Sequence, residues 1–423
     1  MNTEPAKGKV RVQIKEGQRC TVCKQVFLDD KKNLLKPIMS VPGFGEVHEA
    51  CFMPYHQEDE LRLLVKIRCY SIGDTIATTP AIRELRRIYP RAKITVITVF
   101  PDLFKYNPLV DEVLDMNYGL LEETMKSYHY IIDPFVTEGV HHHFAVHSGE
   151  FAFQSAFHRS GIPTQYEYEI FYHQDDRTEM RKIADELGVS QTKPLIFVNP
   201  HKTEWETRDW GPVHMQRLVD KLAKTFDDHQ IVSIGGKRGE AKGREMPNYV
   251  KLNDKVIDAY GKFSLLQSIA FMDQPNVKLL ITPDTGTLHM GAACQELPIV
   301  GIFTVVKAYF RTPVRKGRFG YKFTGVESDS GCCCSYDAKL YSVEMRINTC
   351  PKKAFLENTL KCNLPKGYKR EGMKNFDPSR EWPIESLGDD VRKELAIYSK
   401  PSLPCFPSVD KVYAACERML NGN

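Results

Sequence analysis

The chain has 423 residues, of which 42% are hydrophobic and 26% charged, and its formal net charge at pH 7 is +4. This length and composition predict two or three globular domains with ordinary apolar cores. The small net charge, without a sustained basic run, makes nucleic acid an unexpected partner. We find neither a membrane-spanning apolar stretch nor a signal peptide, so we expect a cytoplasmic protein whose twelve cysteines are reduced.

Residues 1–58 contain two pairs of metal-binding residue types. Cys20 and Cys23 form a C-x2-C pair, and after twenty-four residues His48 and Cys51 form an H-x2-C pair. Together they supply the four ligands that a tetrahedral zinc ion prefers. The spacing predicts a structural zinc in a treble-clef or LIM-type half-finger, which would serve as an interaction module for a protein partner. The alternative is that four unrelated residues share this spacing.

The second unit, residues 61–185, begins with an apolar run at 61–68 that is typical of a buried parallel strand. Strand and helix patterns then alternate, which is the signature of an α/β fold. The first strand leads into Ser71, Ile72, Gly73 and Asp74. Ligands of open α/β sheets bind at the carboxyl ends of strands, so Gly73 would permit a close approach and Asp74 could act as a general base. The spacing alone favours Asp74 as the N-cap of the following helix.

The third unit, residues 190–326, shows the same alternation. Glycine or basic residues follow two of its predicted strands, and these are Lys202, Arg208, Gly235, Gly236 and Lys237. Cations gathered near a helix N-terminus would form an anion-binding pocket. The structural alternative is that the basic residues are ordinary solvated side chains.

The stretch 277–303 is the most informative part of the third unit. An apolar strand is followed by a tight loop, a helix rich in small residues and a second apolar strand. The first backbone N–H groups of such a helix have no intrahelical partner, so the loop favours a phosphate or diphosphate. The residues that would form this anion site are Asp284, Thr285, Gly286, Thr287, Leu288 and His289. The alternative is that Asp284 or Thr285 caps a buried helix and His289 is a packing residue.

The remainder of the chain gives weaker signals. Residues 327–407 form a cysteine- and proline-containing extension in which Cys332–Cys334, Cys350 and Cys362 leave a second metal site open, and residues 408–423 form a terminal helix. Five histidines between residues 141 and 158 fit no compact metal motif, so we expect them in a ligand-binding pocket or on the surface. Four cysteines are expected to be small buried hydrophobic residues, namely Cys69, Cys294, Cys405 and Cys416.

The stretches 68–114 and 283–303, with 199–212 and 231–240 between them, resemble glycosyltransferase family 9, the heptosyltransferases of lipopolysaccharide assembly. The resemblance covers residues 61–326 and the last helix. It implies a GT-B fold, with two Rossmann-like domains facing across a cleft and the terminal helix packing back on the first, acceptor domain. It also implies inverting transfer, without a catalytic metal, from a nucleotide-diphosphate sugar such as ADP-heptose to a glycan or glycolipid acceptor.

The resemblance assigns roles to individual residues. Asp74 becomes the general base, in the glycine turn that Ser71 and Gly73 form near the donor. Asp284 and His289 shape the loop whose N–H groups, from Thr285 to Leu288, hold the diphosphate. Arg208 or Lys202 offsets the charge of the leaving group. Gly235, Gly236 and Lys237 lie near the nucleoside.

Two other functions remain open at this point. A related GT-B epimerase or hydrolase would rearrange or cleave the donor without an acceptor, and a non-catalytic scaffold would only support the zinc module. Because the implied acceptor includes a glycolipid, we also expect this cytoplasmic enzyme to lie peripherally at the inner membrane face.

Overall fold

The computed structural model describes residues 38–41, 45–48, 61–67, 71–116, 125–132, 167–200, 210, 212–236, 250–304, 307–327, 382–383 and 407–422. Cys20, Cys23 and Cys51 of the predicted zinc module lie outside these ranges, as does most of the 327–407 extension. Among the described residues, no helix is both long and apolar enough to cross a membrane.

The strands of the described residues are β1 (Ile38–Val41), β2 (Gly45–His48), β3 (Arg62–Ile67), β4 (Lys93–Thr98), β5 (Glu112–Asp115), β6 (Tyr130–Ile132), β7 (Leu195–Val198), β8 (Gln230–Ser233), β9 (Val250–Lys251), β10 (Val256–Asp258), β11 (Val277–Pro283), β12 (Ile299–Phe303), β13 (Val314–Arg315), β14 (Arg318–Phe319), β15 (Phe323–Glu327) and β16 (Trp382–Pro383). The α-helices are α1 (Ile72–Ile76), α2 (Thr79–Ile88), α3 (Gln174–Glu186), α4 (Pro212–Thr225), α5 (Leu265–Met272), α6 (Gly286–Ala293) and α7 (Val409–Leu420).

Two parallel sheets organise the described residues. The first has four strands in the order β5-β4-β3-β6, and the second has six in the order β10-β8-β7-β11-β12-β15. Neighbouring strands in both sheets run parallel. Parallel strands require crossover connections, which the alternating helices provide. This arrangement confirms the predicted α/β class with parallel sheets.

Apolar side chains cover both faces of the second sheet. On one face, Ile196 and Ile302 pack in a buried cluster with residues of α4 and α7. On the other, Phe197 and Leu280 belong to a cluster that includes residues of α3, α5 and α6. Successive strand residues point to opposite faces, so strands covered on both sides are continuously apolar, as the sequence of β7 shows.

The boundary between the two units lies before α3 and not after it. The prediction ended the first unit at residue 185, which included this helix. In the structure α3 packs against α5 of the second unit, and its inward side chains Met180 and Ala184 are buried. The helix therefore covers the second sheet, and the preceding residues 167–173 connect the two units.

The terminal helix α7 packs on the second sheet, so its predicted place on the first unit is wrong for the described residues. It lies against α4, β11, β12 and β15, with Val412, Ala415 and Cys416 buried. Two polar contacts fix the helix, since the indole N–H of Trp210 donates to the carbonyl of Pro407 at 3.0 Å and the hydroxyl of Tyr413 lies 2.9 Å from that of Thr225. The apolar face of α7 thus covers the part of this face of the second sheet that α4 does not cover.

Three small pairs of strands complete the described structure. The antiparallel pair β1–β2 places His48 opposite Ile38, and β16 of the extension runs parallel to β9. The antiparallel pair β13–β14 follows β12 and a 3-10 helix at Ala308–Arg311.

Candidate functional site

The turn after β3 forms the start of helix α1. Ser71 is the N-cap, and its hydroxyl accepts a long hydrogen bond of 3.5 Å from the backbone N–H of Asp74. Asp74 itself lies in the first turn of α1 and is half-buried. Thr78 occupies the N-cap of the next helix, α2. Asp74 is therefore not the N-cap that spacing alone favoured.

The loop after β11 forms the start of helix α6. Thr285 is its N-cap, with an extended backbone and no hydrogen bond from its side chain to the helix. The N–H of Leu288 bonds to the Thr285 carbonyl at 3.1 Å. The amides of Gly286 and Thr287 precede that first bond and stand at the open end of the helix. An anion at this end would meet two amides and the positive end of the helix dipole.

Asn199 fixes the hydroxyl groups of this loop. Its side-chain amide donates to the Thr287 hydroxyl at 2.8 Å and to the Thr285 hydroxyl at 3.2 Å. The Thr282 hydroxyl donates to the Pro283 carbonyl and lies 3.2 Å from the Thr285 hydroxyl, so the proton of Thr285 is directed to Thr282. The Thr287 hydroxyl accepts from Asn199, and its own proton is left for a ligand oxygen. Sequence reasoning did not single out Asn199. Its position at the end of β7, the strand next to β11, was the available signal.

Asp284 forms a buried ion pair. Its carboxylate lies 3.3 Å from the Nε of Arg311, and each side chain is only 4% exposed. A buried carboxylate beside a diphosphate would repel it, so the guanidinium removes an obstacle to anion binding. Arg311 lies in the 3-10 helix after β12, and no motif in the sequence pointed to it.

Helices α1 and α6 bring the two loops into direct contact. A Cβ atom on Gly73 would lie 2.5 Å from the Cδ2 of His289, and a Cβ atom on Gly286 would lie 3.1 Å from the Cβ of Ile72. Both positions therefore need glycine or a local shift. The predicted Ser71–Asp74 turn and the predicted Asp284–His289 loop come from different sheets, and the structure places them side by side.

His289 is part of this contact and is buried. Its side chain is 3% exposed, and its ring lies 5.7 Å from that of Tyr168. Tyr168 belongs to the connection between the two units. The histidine thus contacts the first unit, the connection and its own helix, and its part in shaping a diphosphate loop stays a prediction.

The predicted nucleoside side lies at the end of β8. The ring of Tyr260 covers Gly235 so closely that a Cβ there would lie 2.1 Å from a ring carbon, whereas no heavy atom of the described residues lies within 4 Å of a Cβ on Gly236. A small, mostly apolar cavity adjoins Gly235 and extends to Phe263, Met272 and Thr287. This cavity connects the β8 end to the α6 loop.

The other predicted site residues lie outside the described parts of the chain, namely Lys202, Arg208, Lys237, Cys20, Cys23 and Cys51. His48 ends β2, but its side chain is not described. The described residues contain no group of three or more metal-binding side chains. Cys294 and Cys416 are buried as predicted, and burial raises the pKa of both thiols.

Comparison with protein families matches residues 115–321 to Glycosyltransferase family 9 (heptosyltransferase). No curated protein sequence matches the chain. Among solved structures, the chain is similar to a family 9 glycosyl transferase from Veillonella parvula, with a TM-score of 0.55 and 18% identity over 86% of this chain and 98% of that one. It is also similar to the E. coli ADP-heptose LPS heptosyltransferase II, with a TM-score of 0.47 and 16% identity over 71% of this chain and 98% of that one.

Proposed function

We propose that the protein is a glycosyltransferase that transfers a heptose-like sugar from a nucleotide-diphosphate donor, with ADP-heptose the first candidate, because residues 115–321 match glycosyltransferase family 9. The acceptor would be a hydroxyl of a glycan or glycolipid. The observation that carries the proposal is the contact of the Ser71–Asp74 turn with the Asp284–His289 loop. This contact joins a carboxylate from one unit to an anion-binding helix start from the other.

The donor diphosphate is assigned to the open end of α6. The amides of Gly286 and Thr287 and the Thr287 hydroxyl that Asn199 orients would bind its oxygens, while Arg311 neutralises Asp284. No ligand atom fits between Gly73 and His289, so the donor would lie beside this contact. The nucleoside would lie at the end of β8, near Gly235 and Gly236.

The transfer would be a single displacement that inverts the anomeric carbon. Asp74 accepts the proton of the acceptor hydroxyl as its oxygen bonds to that carbon, and the bond from the carbon to the diphosphate breaks. The leaving diphosphate gains negative charge, which the α6 dipole and Arg208 or Lys202 would offset. Because helix and side-chain groups supply this positive charge, the leaving diphosphate would not need a catalytic metal.

Calorimetric titration with ADP, UDP and GDP tests the donor site. We expect one nucleotide to bind wild-type protein and Asp74→Asn with similar affinity. With the matching sugar nucleotide and acceptor, Asp74→Asn should transfer about a hundredfold to ten-thousandfold more slowly, because it lacks the general base. Asp102→Asn, which removes an exposed carboxylate after β4, is the matched control and should keep wild-type activity.

Three results would contradict the proposal. If none of the three nucleotides binds, the assignment of the donor site is refuted. If Asp74→Asn transfers at an unchanged rate, Asp74 is not the general base. Product formed from the sugar nucleotide alone, at the same rate without acceptor, would instead identify an epimerase or hydrolase.

We also propose that the N-terminal residues bind a structural zinc ion through Cys20, Cys23, His48 and Cys51. The β1–β2 hairpin supports this assignment because it ends at His48, three residues before Cys51. Elemental analysis of the purified full chain should find one zinc per protein, which is lost in a Cys20→Ser/Cys23→Ser variant. Equal zinc content in both proteins would refute the assigned ligands.

A further inference from the structure

Glu327 is the last residue of β15, at the carboxyl edge of the second sheet. Its Cα lies opposite that of Phe303 in the neighbouring strand β12. The Nζ of Lys411, in the terminal helix α7, donates to the Glu327 carbonyl at 2.8 Å. The strand ladder and α7 therefore fix the backbone of Glu327, and its side chain extends from a held position.

The carboxylate of Glu327 caps the 3-10 helix Ala308–Arg311. Its Oε1 accepts from the backbone N–H of Ala308 at 2.6 Å, and its Oε2 lies 3.0 Å from the Nζ of Lys307. Ala308 begins the 3-10 helix, and the first N–H groups of a helix have no partner within it. Lys307 occupies the N-cap, but its ammonium group cannot accept a hydrogen bond. Glu327 thus supplies the acceptor that the N-cap residue lacks.

Packing holds the same 3-10 helix against β15. A Cβ atom on Gly325 would lie 2.3 Å from the Cβ of Ala308, so the helix lies directly on the strand backbone. At the other end of the helix, Phe310 and Arg311 are buried. The position of the helix therefore depends on the Glu327 carboxylate and on the absence of a side chain at Gly325.

The 3-10 helix carries Arg311, whose guanidinium reaches the start of α6. Its Nη1 donates to the carbonyl of Phe310 at 3.1 Å, so the guanidinium is tied to its own helix. Its Nε lies 3.3 Å from the Oδ1 of Asp284, and both side chains are buried. A shift of a buried ion pair leaves its charges poorly compensated. Because Asp284 directly precedes Thr285, the N-cap of α6, a displacement of the 3-10 helix affects the open end of α6.

We infer that Glu327 is a positioning residue for donor binding. Its carboxylate holds the 3-10 helix, the helix holds Arg311, and Arg311 keeps Asp284 neutralised beside the open end of α6. Glu327 does not contact the donor and acts through Arg311. The inference rests on the proposed function, because it assumes that a diphosphate binds at α6. The competing explanation is that the cap only stabilises the fold.

Calorimetric titration of the full chain with ADP, UDP and GDP tests the inference. Glu327→Ala removes the acceptor for the Ala308 N–H and should raise the Kd of the bound nucleotide about tenfold, the size of effect that residues without ligand contact exert through a network. Glu327→Gln keeps an oxygen that can accept the same bond and loses only a partly exposed ion pair, so its Kd should stay close to that of wild type.

A second perturbation reaches the 3-10 helix without changing Glu327. Gly325→Ala places a Cβ against Ala308 and should push the helix away from β15. We expect this variant to raise the Kd as Glu327→Ala does. Melting temperatures of all variants should lie well above the temperature of the titration, which shows that each protein is folded when its affinity is measured.

A variant without Arg311 separates positioning from stabilisation. Asp284→Asn/Arg311→Met has a neutral pair at this place and should still bind the nucleotide. Adding Glu327→Ala to it should leave the Kd unchanged, because the group through which Glu327 acts is gone. A cap that only stabilises the fold would have the same effect on the Kd in both backgrounds.

Two control variants remove nearby charges and keep the cap. Lys307→Met removes the ion pair with Glu327 but leaves the bond to the Ala308 N–H. Glu296→Ala removes a half-exposed carboxylate that pairs with Lys316 and Lys322, outside the 3-10 helix. Both variants should bind the nucleotide as wild type does.

The inference is overturned if Glu327→Ala binds the nucleotide as wild type does, or if it raises the Kd by the same factor in Asp284→Asn/Arg311→Met. It is also overturned if Glu327→Gln loses as much affinity as Glu327→Ala. Each of these results leaves the proposed function standing, because wild-type protein still binds the nucleotide. If no nucleotide binds the wild type, the proposed function is refuted and the inference falls with it.

Discussion

Replacing Gly73 by alanine tests whether the contact of α1 with α6 sustains transfer. The new Cβ would lie 2.5 Å from Cδ2, 3.0 Å from Nε2 and 3.2 Å from Cγ of His289. Non-bonded carbon atoms pack at about 3.5–4.0 Å, so the two helices must separate by roughly 1 Å or the imidazole must turn. His289 is buried and contacts Tyr168, which limits how far its ring can move.

The expected effects on stability and on rate differ in size. Overpacking of this kind costs about 1–3 kcal/mol, and the better helix propensity of alanine returns about 1 kcal/mol. The free energy of unfolding should therefore fall by no more than about 2 kcal/mol. A displacement of about 1 Å at reacting groups can cost about a hundredfold in rate. We expect Gly73→Ala to remain folded at 25 °C and to transfer sugar about a hundredfold more slowly.

The assay compares kcat, the dissociation constant for ADP and the melting temperature with those of two other variants. Glu186→Ala, at the exposed end of α3 and outside the proposed site, is the control and should behave as wild type. Gly286→Ala, with its Cβ 3.1 Å from the Cβ of Ile72, should show a smaller effect than Gly73→Ala. Wild-type activity in Gly73→Ala, or an equal loss in Glu186→Ala, would refute the reasoning.

Three further changes probe the surroundings of this contact. Arg311→Met leaves the buried Asp284 carboxylate without its guanidinium and should lower the free energy of unfolding by about 3–5 kcal/mol, measured in urea, whereas Asp284→Asn/Arg311→Met should recover most of that loss. Asn199→Ala frees the hydroxyls it holds and should raise the donor KM more than it lowers kcat, and unchanged kinetics would contradict this role. Burial and the hydrogen bond to Asp273 raise the pKa of Tyr172 to about 12, so the protonated phenol stabilises the fold fully below pH ~10 and loses this contribution as pH rises through about 12. Tyr172→Phe should therefore unfold in urea with a weaker dependence on pH in that window, and an unchanged dependence would exclude Tyr172 as the source.

Local patterns carried enough information for the sheets and for two of the loops. The apolar run before Ser71 and the strand before Asp284 each end at the carboxyl edge of a parallel sheet, where ligands bind. The helix start at Thr285 follows from a loop with threonine and glycine ahead of small residues. These features depend on residues that are close together in the sequence, so a single amino-acid sequence is enough to predict them.

Contacts between distant segments could not be predicted in the same way. Asn199 reaches the α6 loop only because β7 lies beside β11. Arg311 reaches Asp284 from the 3-10 helix that follows β12, the strand on the other side of β11. The terminal helix has an amphipathic pattern that fits either sheet equally well. The hydrogen bond from the Trp210 indole to the Pro407 carbonyl helps to hold the helix on the second sheet. No local sequence pattern reveals that bond.

A different set of long-range contacts, between the two units, limits how the units can move. One buried cluster includes Leu63 and Ile76 of the first unit together with Leu280 and Met290 of the second. Exposing a large apolar side chain costs about 1.5–3 kcal/mol, so complete separation of the units would cost more than a single nucleotide returns on binding. The connection adds polar contacts, since Glu167 accepts from the N–H of Gly317 at 2.7 Å and pairs with Arg83 of α2. We therefore expect the packed helices α1 and α6 to keep their relative positions when a ligand binds beside their contact.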